Sequence, residues 1–242
     1  DILTTLYFHV MRVNPDAPQA PERDRFVLSK GHCTPALYST MAQRGFFPLE
    51  ELKQFRRIEG HMSGHAEMRH VKGVDMSTGS LGQGISAAVG MALAGKADGR
   101  DYRVYALLGD GEIEEGQVWE AAMAAAKYRL DNLCAVVDVN GLQIDGATAD
   151  VMPSEPLDQK FEAFNWNVIR VDGHDYAALA EAFAAAAACK GKPTVLLART
   201  VKGKGVSFME GDYGWHGKAP NAEQYEKARA ELAARVAELE GK

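Results

Sequence analysis

The sequence predicts an α/β fold, in which a mainly parallel sheet is covered by helices on both faces. Short apolar runs alternate with helical patterns through residues 104–198, and such alternation is typical of parallel strands joined by helices. No internal repeat or Pro/Ser-rich linker divides the 242 residues, of which 46% are hydrophobic. We therefore expect a single domain over residues 1–242 with a substantial core.

The N-terminal part is predicted to be mostly helical. Apolar residues at helical spacing predict a first helix over 1–12, which a proline-bearing loop ends. A short apolar run at 26–28 follows, and then come helices over 35–44 and 48–55. Residues 60–84 read as loop. A further helix is expected over 85–97, where small residues favour close packing.

The remaining elements carry the alternation that defines the fold. Strands are predicted at 104–108, 133–137, 168–171 and 194–198, and helices at 117–127 and 176–190. A C-terminal amphipathic helix is expected over 222–239, with Leu232, Val236 and Leu239 on one side.

Composition excludes several classes of function. The 27 Lys and Arg residues are outnumbered by 33 Asp and Glu, and the positive charges are scattered, so we expect no nucleic-acid partner. No apolar run reaches the ~18 residues of a membrane span, so we expect no membrane partner. Three separated cysteines fit a cytoplasmic protein without a disulfide framework. Since no Met precedes Asp1, we expect the native chain to extend upstream.

Polar residues follow two neighbouring predicted strands. Gly109-Asp110-Gly111 comes after the first, and Asp138-Val139-Asn140-Gly141 after the second. Parallel strands end at one edge of a sheet, so Asp110 and Asn140 are expected to converge there. Their oxygens suit Mg²⁺ or Ca²⁺, with a phosphate completing the shell. An Asp between glycines is also typical of a simple tight turn, but the second cluster at matching topology favours a ligand site.

Together with six further blocks, these residues resemble the transketolase family. The blocks occur in the family's order over nearly the whole chain: 28–32 (LSKGH), 63–65 (SGH), 77–84 (STGSLGQG), 172–175 (DGHD), 202–205 (KGKG) and 215–217 (WHG). The closest likeness is to the N-terminal subunit of split transketolases. The resemblance implies a thiamine diphosphate-binding domain of the PP type and transfer of a two-carbon ketol unit from a ketose or its phosphate to an aldose or its phosphate.

The resemblance also implies a role for individual residues. Asp110, Asn140 and the backbone carbonyl of Leu142 would hold Mg²⁺. The diphosphate would be contacted by His32, His216 and the N–H of Gly111. Three apolar or small residues would surround the cofactor rings, with Gly79 and Leu81 beside the aminopyrimidine and Ile144 against the thiazolium.

Catalytic roles follow from the same resemblance. His65 and His216 would face the donor hydroxyls, since imidazole moves protons near neutral pH with little tuning. Glu115 would link the two active sites of a dimer. A separate pyrimidine-binding subunit would supply the activating glutamate, giving an α2β2 heterotetramer.

Several alternatives remain open from the sequence. The chain is also compatible with the α subunit of a 2-oxo acid dehydrogenase or carboligase, or with a non-catalytic cofactor-binding scaffold. His174 is expected to fix its own turn and not to face substrate. Lys202 and Lys204 would either bind phosphate or lie in a solvated loop.

Overall fold

A five-stranded parallel sheet forms the centre of the molecule, as the alternation predicts. The computed structural model describes residues 1–241, so Lys242, the last residue of the predicted domain, lies outside the described residues. The strand order is β1-β2-β3-β7-β6. The sheet strands are β1 (Arg25–Leu28), β2 (Val104–Gly109), β3 (Leu133–Val139), β6 (Asn167–Asp172) and β7 (Thr194–Arg199). All pairings are parallel, so the carboxyl ends of the strands lie along one edge.

Helices cover both faces of this sheet. Their bounds are α1 (Ile2–Thr5), α2 (Thr34–Arg44), α3 (Gln83–Ala97), α4 (Gly116–Lys127), α5 (Thr148–Val151), α6 (Leu157–Ala163), α7 (Tyr176–Ala188) and α8 (Ala222–Glu240). Three short 3₁₀ segments span Leu49–Gln54, Glu112–Glu114 and Tyr213–Trp215. The last helix, α8, begins with a capping box between Asn221 and Gln224.

Side chains of the central strands alternate between two hydrophobic cores. On β2, Tyr105 and Leu107 face the core that contains α2 and α7, and Val104, Ala106 and Leu108 face the core beneath α3 and α4. This alternation follows from the two-residue period of a strand. Both faces are therefore buried, which explains why these strands read as uninterrupted apolar runs.

The structure corrects several predicted elements. The helix expected over 1–12 ends at Val10, and its second half, Leu6–Val10, is a π-helix. The helix expected over 48–55 is only a 3₁₀ segment. A two-stranded hairpin, β4 (Leu142–Gln143) and β5 (Gly146–Ala147), was not predicted because two residues carry no periodicity.

The C-terminal helix forms as predicted, but its apolar side is not covered. Leu232, Val236 and Leu239 are each about half exposed. Within residues 1–241, no helix combines the length and apolarity required to cross a bilayer.

Candidate cofactor site

The carboxyl ends of all five sheet strands open into one cavity of about 1020 Å³. This is the edge at which open parallel sheets bind ligands, because strand ends and loops leave polar groups free there. Each strand contributes polar residues from the segment that follows it: Lys30 and His32 after β1, Asp110 after β2, Asn140 after β3, His174 after β6 and Lys202 after β7.

The two polar clusters that were predicted to converge both line this cavity. Asp110 is buried, and its Oδ1 accepts a hydrogen bond from the Gly111 N–H at 3.0 Å. Its Oδ2 accepts one from the N–H of Gly141, beside Asn140, at 2.5 Å. The Asn140 Oδ1 accepts from the Leu142 N–H at 3.1 Å. These bonds join the end of β2 to the loop after β3 and orient both side chains.

The donor set at this point fits a hard divalent cation. Among the described residues, Asp110 forms no salt bridge, and burial raises the pKa of its carboxyl. Such a carboxylate gains most from a cation that replaces the water it has lost. No cluster of three or more His, Cys, Asp or Glu side chains suited to a metal occurs within residues 1–241. The ligand set implied by the resemblance, namely Asp110, the Asn140 amide and the Leu142 carbonyl, would offer three oxygens, and a ligand's phosphate oxygens would complete the shell of the cation.

A buried ion pair lies behind Asn140. The Asp138 carboxylate pairs with the Lys30 ammonium, and it also accepts from the Thr200 hydroxyl and, at 3.2 Å, from the Asn140 amide. Burial alone would lower the pKa of Lys30, but Asp138 raises it above its usual value. Both groups thus remain charged, and the pair fixes which way the Asn140 amide faces.

Two histidines and two lysines line the cavity. The rings of His32 and His216 are stacked obliquely, with centroids 5.2 Å apart. Burial, followed by His216 and Lys30, lowers the pKa of His32 to about 4. Burial and then Lys202 lower the pKa of His216. Both rings are therefore neutral at pH 7, and the positive charge belongs to Lys30 and Lys202.

Lys202 also determines the proton position on one of these rings. Its Nζ lies 3.2 Å from the His216 Nδ1. An ammonium can only donate, so Nδ1 accepts and the proton of the neutral ring lies on Nε2. The two lysines of the KGKG segment differ in position: Lys202 lines the cavity, whereas Lys204 pairs with Glu210.

The residues expected around the cofactor rings line the same cavity. Gly79 and Leu81 form part of one wall, and Ile144, carried by the hairpin, is 67% exposed. A Cβ at Gly111 would come within 2.7 Å of the Gln143 Oε1. Glycine at position 111 therefore leaves room for the Gln143 side chain, which lines the same cavity.

Two predicted residues lie outside the main cavity. His65 is exposed and lines a neighbouring depression of about 380 Å³, which shares Gly79 with the cavity. Glu115 is exposed at the start of α4 and packs against Gly82, whose added Cβ would meet the Glu115 Cβ at 2.8 Å. Within the described chain, neither side chain lines the cavity that holds Asp110.

The structure adds contacts that sequence reasoning missed. The ring of His174 does more than stabilise its own turn, because Nδ1 bonds the Asp1 carboxylate at 2.6 Å and Nε2 accepts from the Val201 N–H at 2.8 Å. Lys30 lies within the LSKGH block, but only its contact with Asp138 reveals its role. The sequence feature that could have indicated this role is the position of Lys30, two residues after the end of β1.

The chain is similar to known proteins over nearly its whole length. The family model described as transketolase, thiamine diphosphate binding domain, matches residues 1–238. A 6-deoxy-6-sulfo-D-fructose transketolase subunit, SqwG, from Clostridium sp. is 48% identical over 96% of this chain and 84% of its own length. One of the apulose-4-phosphate transketolase subunits of Phocaeicola vulgatus is 45% identical over 99% of this chain and 85% of its own.

Solved structures give the same result for the fold. The transketolase of Campylobacter jejuni superposes with a TM-score of 0.89 at 34% identity, over 96% of this chain and 37% of that chain. The chain thus spans about a third of that transketolase's length, compared with more than four fifths of the subunits named above.

Proposed function

The chain belongs to the transketolase family, and from that premise we propose that it is the N-terminal, diphosphate-binding subunit of a split transketolase. It transfers a two-carbon ketol unit from a ketose phosphate to an aldose phosphate, together with a separate pyrimidine-binding subunit. The observation that carries the proposal is the cavity itself, in which Asp110, Asn140 and the Leu142 carbonyl lie beside two lysines.

Thiamine diphosphate and Mg²⁺ fit this cavity. Asp110, Asn140 and the Leu142 carbonyl would hold the cation, and the cation would neutralise the diphosphate. Gly111, His32, His216 and the two lysine ammonium groups would bind the diphosphate oxygens. Ile144 would pack against the thiazolium, and Gly79 and Leu81 would border the aminopyrimidine. When bound, the cofactor supplies the centre that stabilises the carbanion needed for ketol transfer.

The residues of this chain bind and orient the ligands, and they move protons. The His216 ring carries its proton on Nε2, so this atom can donate to a substrate hydroxyl or alkoxide, while Lys202 holds Nδ1. His32 stays neutral at pH 7 because its pKa is about 4, and it contributes a hydrogen bond without a second charge. His65 would reach the donor hydroxyls from the neighbouring depression, across Gly79.

The other half of the site comes from the partner. The two relatives named above are called subunits, and this chain covers more than four fifths of each. We therefore assign the activating glutamate to a separate pyrimidine-binding chain. The assembly is an α2β2 heterotetramer, in which Glu115 links the two active sites. Three free cysteines, Cys33, Cys134 and Cys189, support a cytoplasmic location, where thiols stay reduced.

Reconstitution tests this function. The chain is mixed with its co-purified partner, Mg²⁺, thiamine diphosphate, a ketose phosphate as donor and an aldose phosphate as acceptor, and formation of the acceptor extended by two carbons is followed. Activity should require both chains, and Asp110→Ala should abolish Mg²⁺-dependent cofactor binding in calorimetry. Faster oxidation of a 2-oxo acid than ketol transfer would indicate a 2-oxo acid dehydrogenase. No cofactor binding by the complex would indicate a scaffold.

A further inference from the structure

Glu112 is a buried carboxylate that has no part in the mechanism above. Only 2% of the residue is exposed, and it lies in the 3₁₀ turn that follows Gly111. Within the described residues it forms no salt bridge. A carboxylate held this far from water must be stabilised by hydrogen-bond donors.

Three donors from three different segments satisfy this carboxylate. The Ser29 hydroxyl donates to Oε1 at 2.5 Å, and the Gly82 N–H donates to the same oxygen at 3.0 Å. The Gly109 N–H donates to Oε2 at 3.1 Å. Ser29 in turn accepts from the Ile85 N–H, in the first turn of α3, at 3.1 Å.

Each of these segments leads directly to residues of the cofactor cavity. Gly109 precedes Asp110, Ser29 precedes Lys30 and His32, and Gly82 follows Gly79 and Leu81. The segments also approach one another closely, since a Cβ added at Gly84 would lie 2.6 Å from the Ser29 Cα. No layer of side chains separates them, so hydrogen bonds to one carboxylate can set their spacing.

We propose that Glu112 is a positioning residue that fixes the metal-binding turn after β2, the Ser29–His32 segment and the Gly79–Gly82 wall at the spacing the cofactor requires. It touches neither cofactor nor substrate and acts through the backbone of Gly82 and Gly109 and the hydroxyl of Ser29. The cofactor part of this inference rests on the proposed function. Contacts that orient ligand-binding groups in this way change ligand affinity by about 10- to 100-fold when they are removed.

Glu112→Gln tests the proposal with little change in volume. The amide keeps one acceptor oxygen but replaces the other with a donor, so it cannot satisfy Ser29, Gly82 and Gly109 together. In the complex with the partner subunit, the dissociation constant of thiamine diphosphate with Mg²⁺ should rise at least tenfold. Hydrogen exchange of the isolated chain should become faster in peptides covering 79–85 and 107–111.

Asp24→Asn is the matched control. Asp24 is equally buried, at the opposite edge of the sheet, and it accepts from the backbone N–H groups of Arg12 and Arg103, each at 2.8 Å. Unlike Glu112 it also pairs with a guanidinium, that of Arg12, at 3.3 Å. This variant should lower the melting temperature to a similar extent but leave the cofactor dissociation constant within twofold of the wild-type value. Equal loss of affinity in both variants would overturn the positioning role, and so would unchanged affinity in Glu112→Gln.

Ser29→Ala keeps the test decisive if Glu112→Gln does not fold. It removes one of the three donors and should weaken cofactor binding severalfold, with faster exchange confined to 79–85. Unchanged affinity and exchange in this variant would overturn the proposal. If the wild-type complex bound no cofactor, the proposed function would fail, whereas the exchange measurements would still decide whether Glu112 holds these segments together.

Discussion

Loss of the Lys30 ammonium should destabilise the chain through the charge it leaves behind. In Lys30→Met, the Asp138 carboxylate loses its cation and keeps only the Thr200 hydroxyl and the Asn140 amide as partners. The side chains of Lys30 and Asp138 are 10% and 22% exposed, so water can replace little of the lost interaction. Breaking a buried pair on one side costs about 3–5 kcal/mol, and the partial exposure of Asp138 favours the lower end.

A double-mutant cycle separates this charge effect from lost packing. Asp138→Asn alone leaves the Lys30 ammonium buried, whereas Lys30→Met combined with Asp138→Asn removes both charges. The double variant should therefore be about 2 kcal/mol more stable than the sum of the single effects predicts. The measurement is urea unfolding of the full chain at pH 7. Single effects that add within about 0.5 kcal/mol would refute the buried-pair interpretation.

The remaining predictions concern pH and backbone approach. The pKa of His32 is about 4 in the folded chain, below its ordinary value of 6.5, so the unfolded chain binds more protons between these pH values. Its contribution to stability is present above pH 6.5 and is lost as the pH falls towards 4. The urea midpoint should therefore drop less between pH 7 and pH 5 in His32→Gln than in the wild type. In Gly111→Ala the new Cβ meets the Gln143 Oε1 at 2.7 Å and the Gln143 Cβ at 3.3 Å, so the Gln143 side chain must shift and the free energy of unfolding should fall by about 1 kcal/mol. Calorimetry on the complex should give a dissociation constant for thiamine diphosphate at least tenfold higher, because the displaced Gln143 side chain lines the cavity, and unchanged affinity would contradict this argument. In Gly84→Ala the new Cβ meets the Ser29 backbone at 2.6 Å, so the free energy of unfolding, measured by heat or urea, should fall by about 1–3 kcal/mol. Ala in an open helix position would instead stabilise the chain, so an increase in stability would contradict the contact.

Prediction from sequence succeeded best where burial imposes a simple pattern. The runs at 104–108 and 133–137 are strands buried on both faces, and an uninterrupted apolar run is their direct signature. The π-helix at Leu6–Val10 was missed because its apolar spacing resembles that of an α-helix. The β4–β5 hairpin was missed because two-residue strands depend on a tight turn and not on hydrophobic period.

For the site, topology predicted position but not partners. Asp110 and Asn140 reach one cavity because parallel strands end at one edge, and this follows from chain order alone. The ring contacts of His174 with Asp1 and Val201 join residues far apart in sequence, and no local pattern encodes them. The same holds for the pairing of Lys30 with Asp138, which lie 108 positions apart.

The sequence by itself determined the α/β fold, the edge of the sheet at which Asp110 and Asn140 converge, and the oxygen atoms that these two residues would offer a cation. These properties follow from hydrophobic period and residue chemistry, which are local. Only the tertiary structure decided which charges are paired, that the His32 ring stays neutral, and that Glu112 joins three segments around the cavity. Burial and hydrogen bonding between distant segments set these properties, because a side chain's charge and orientation depend on the groups that replace its water.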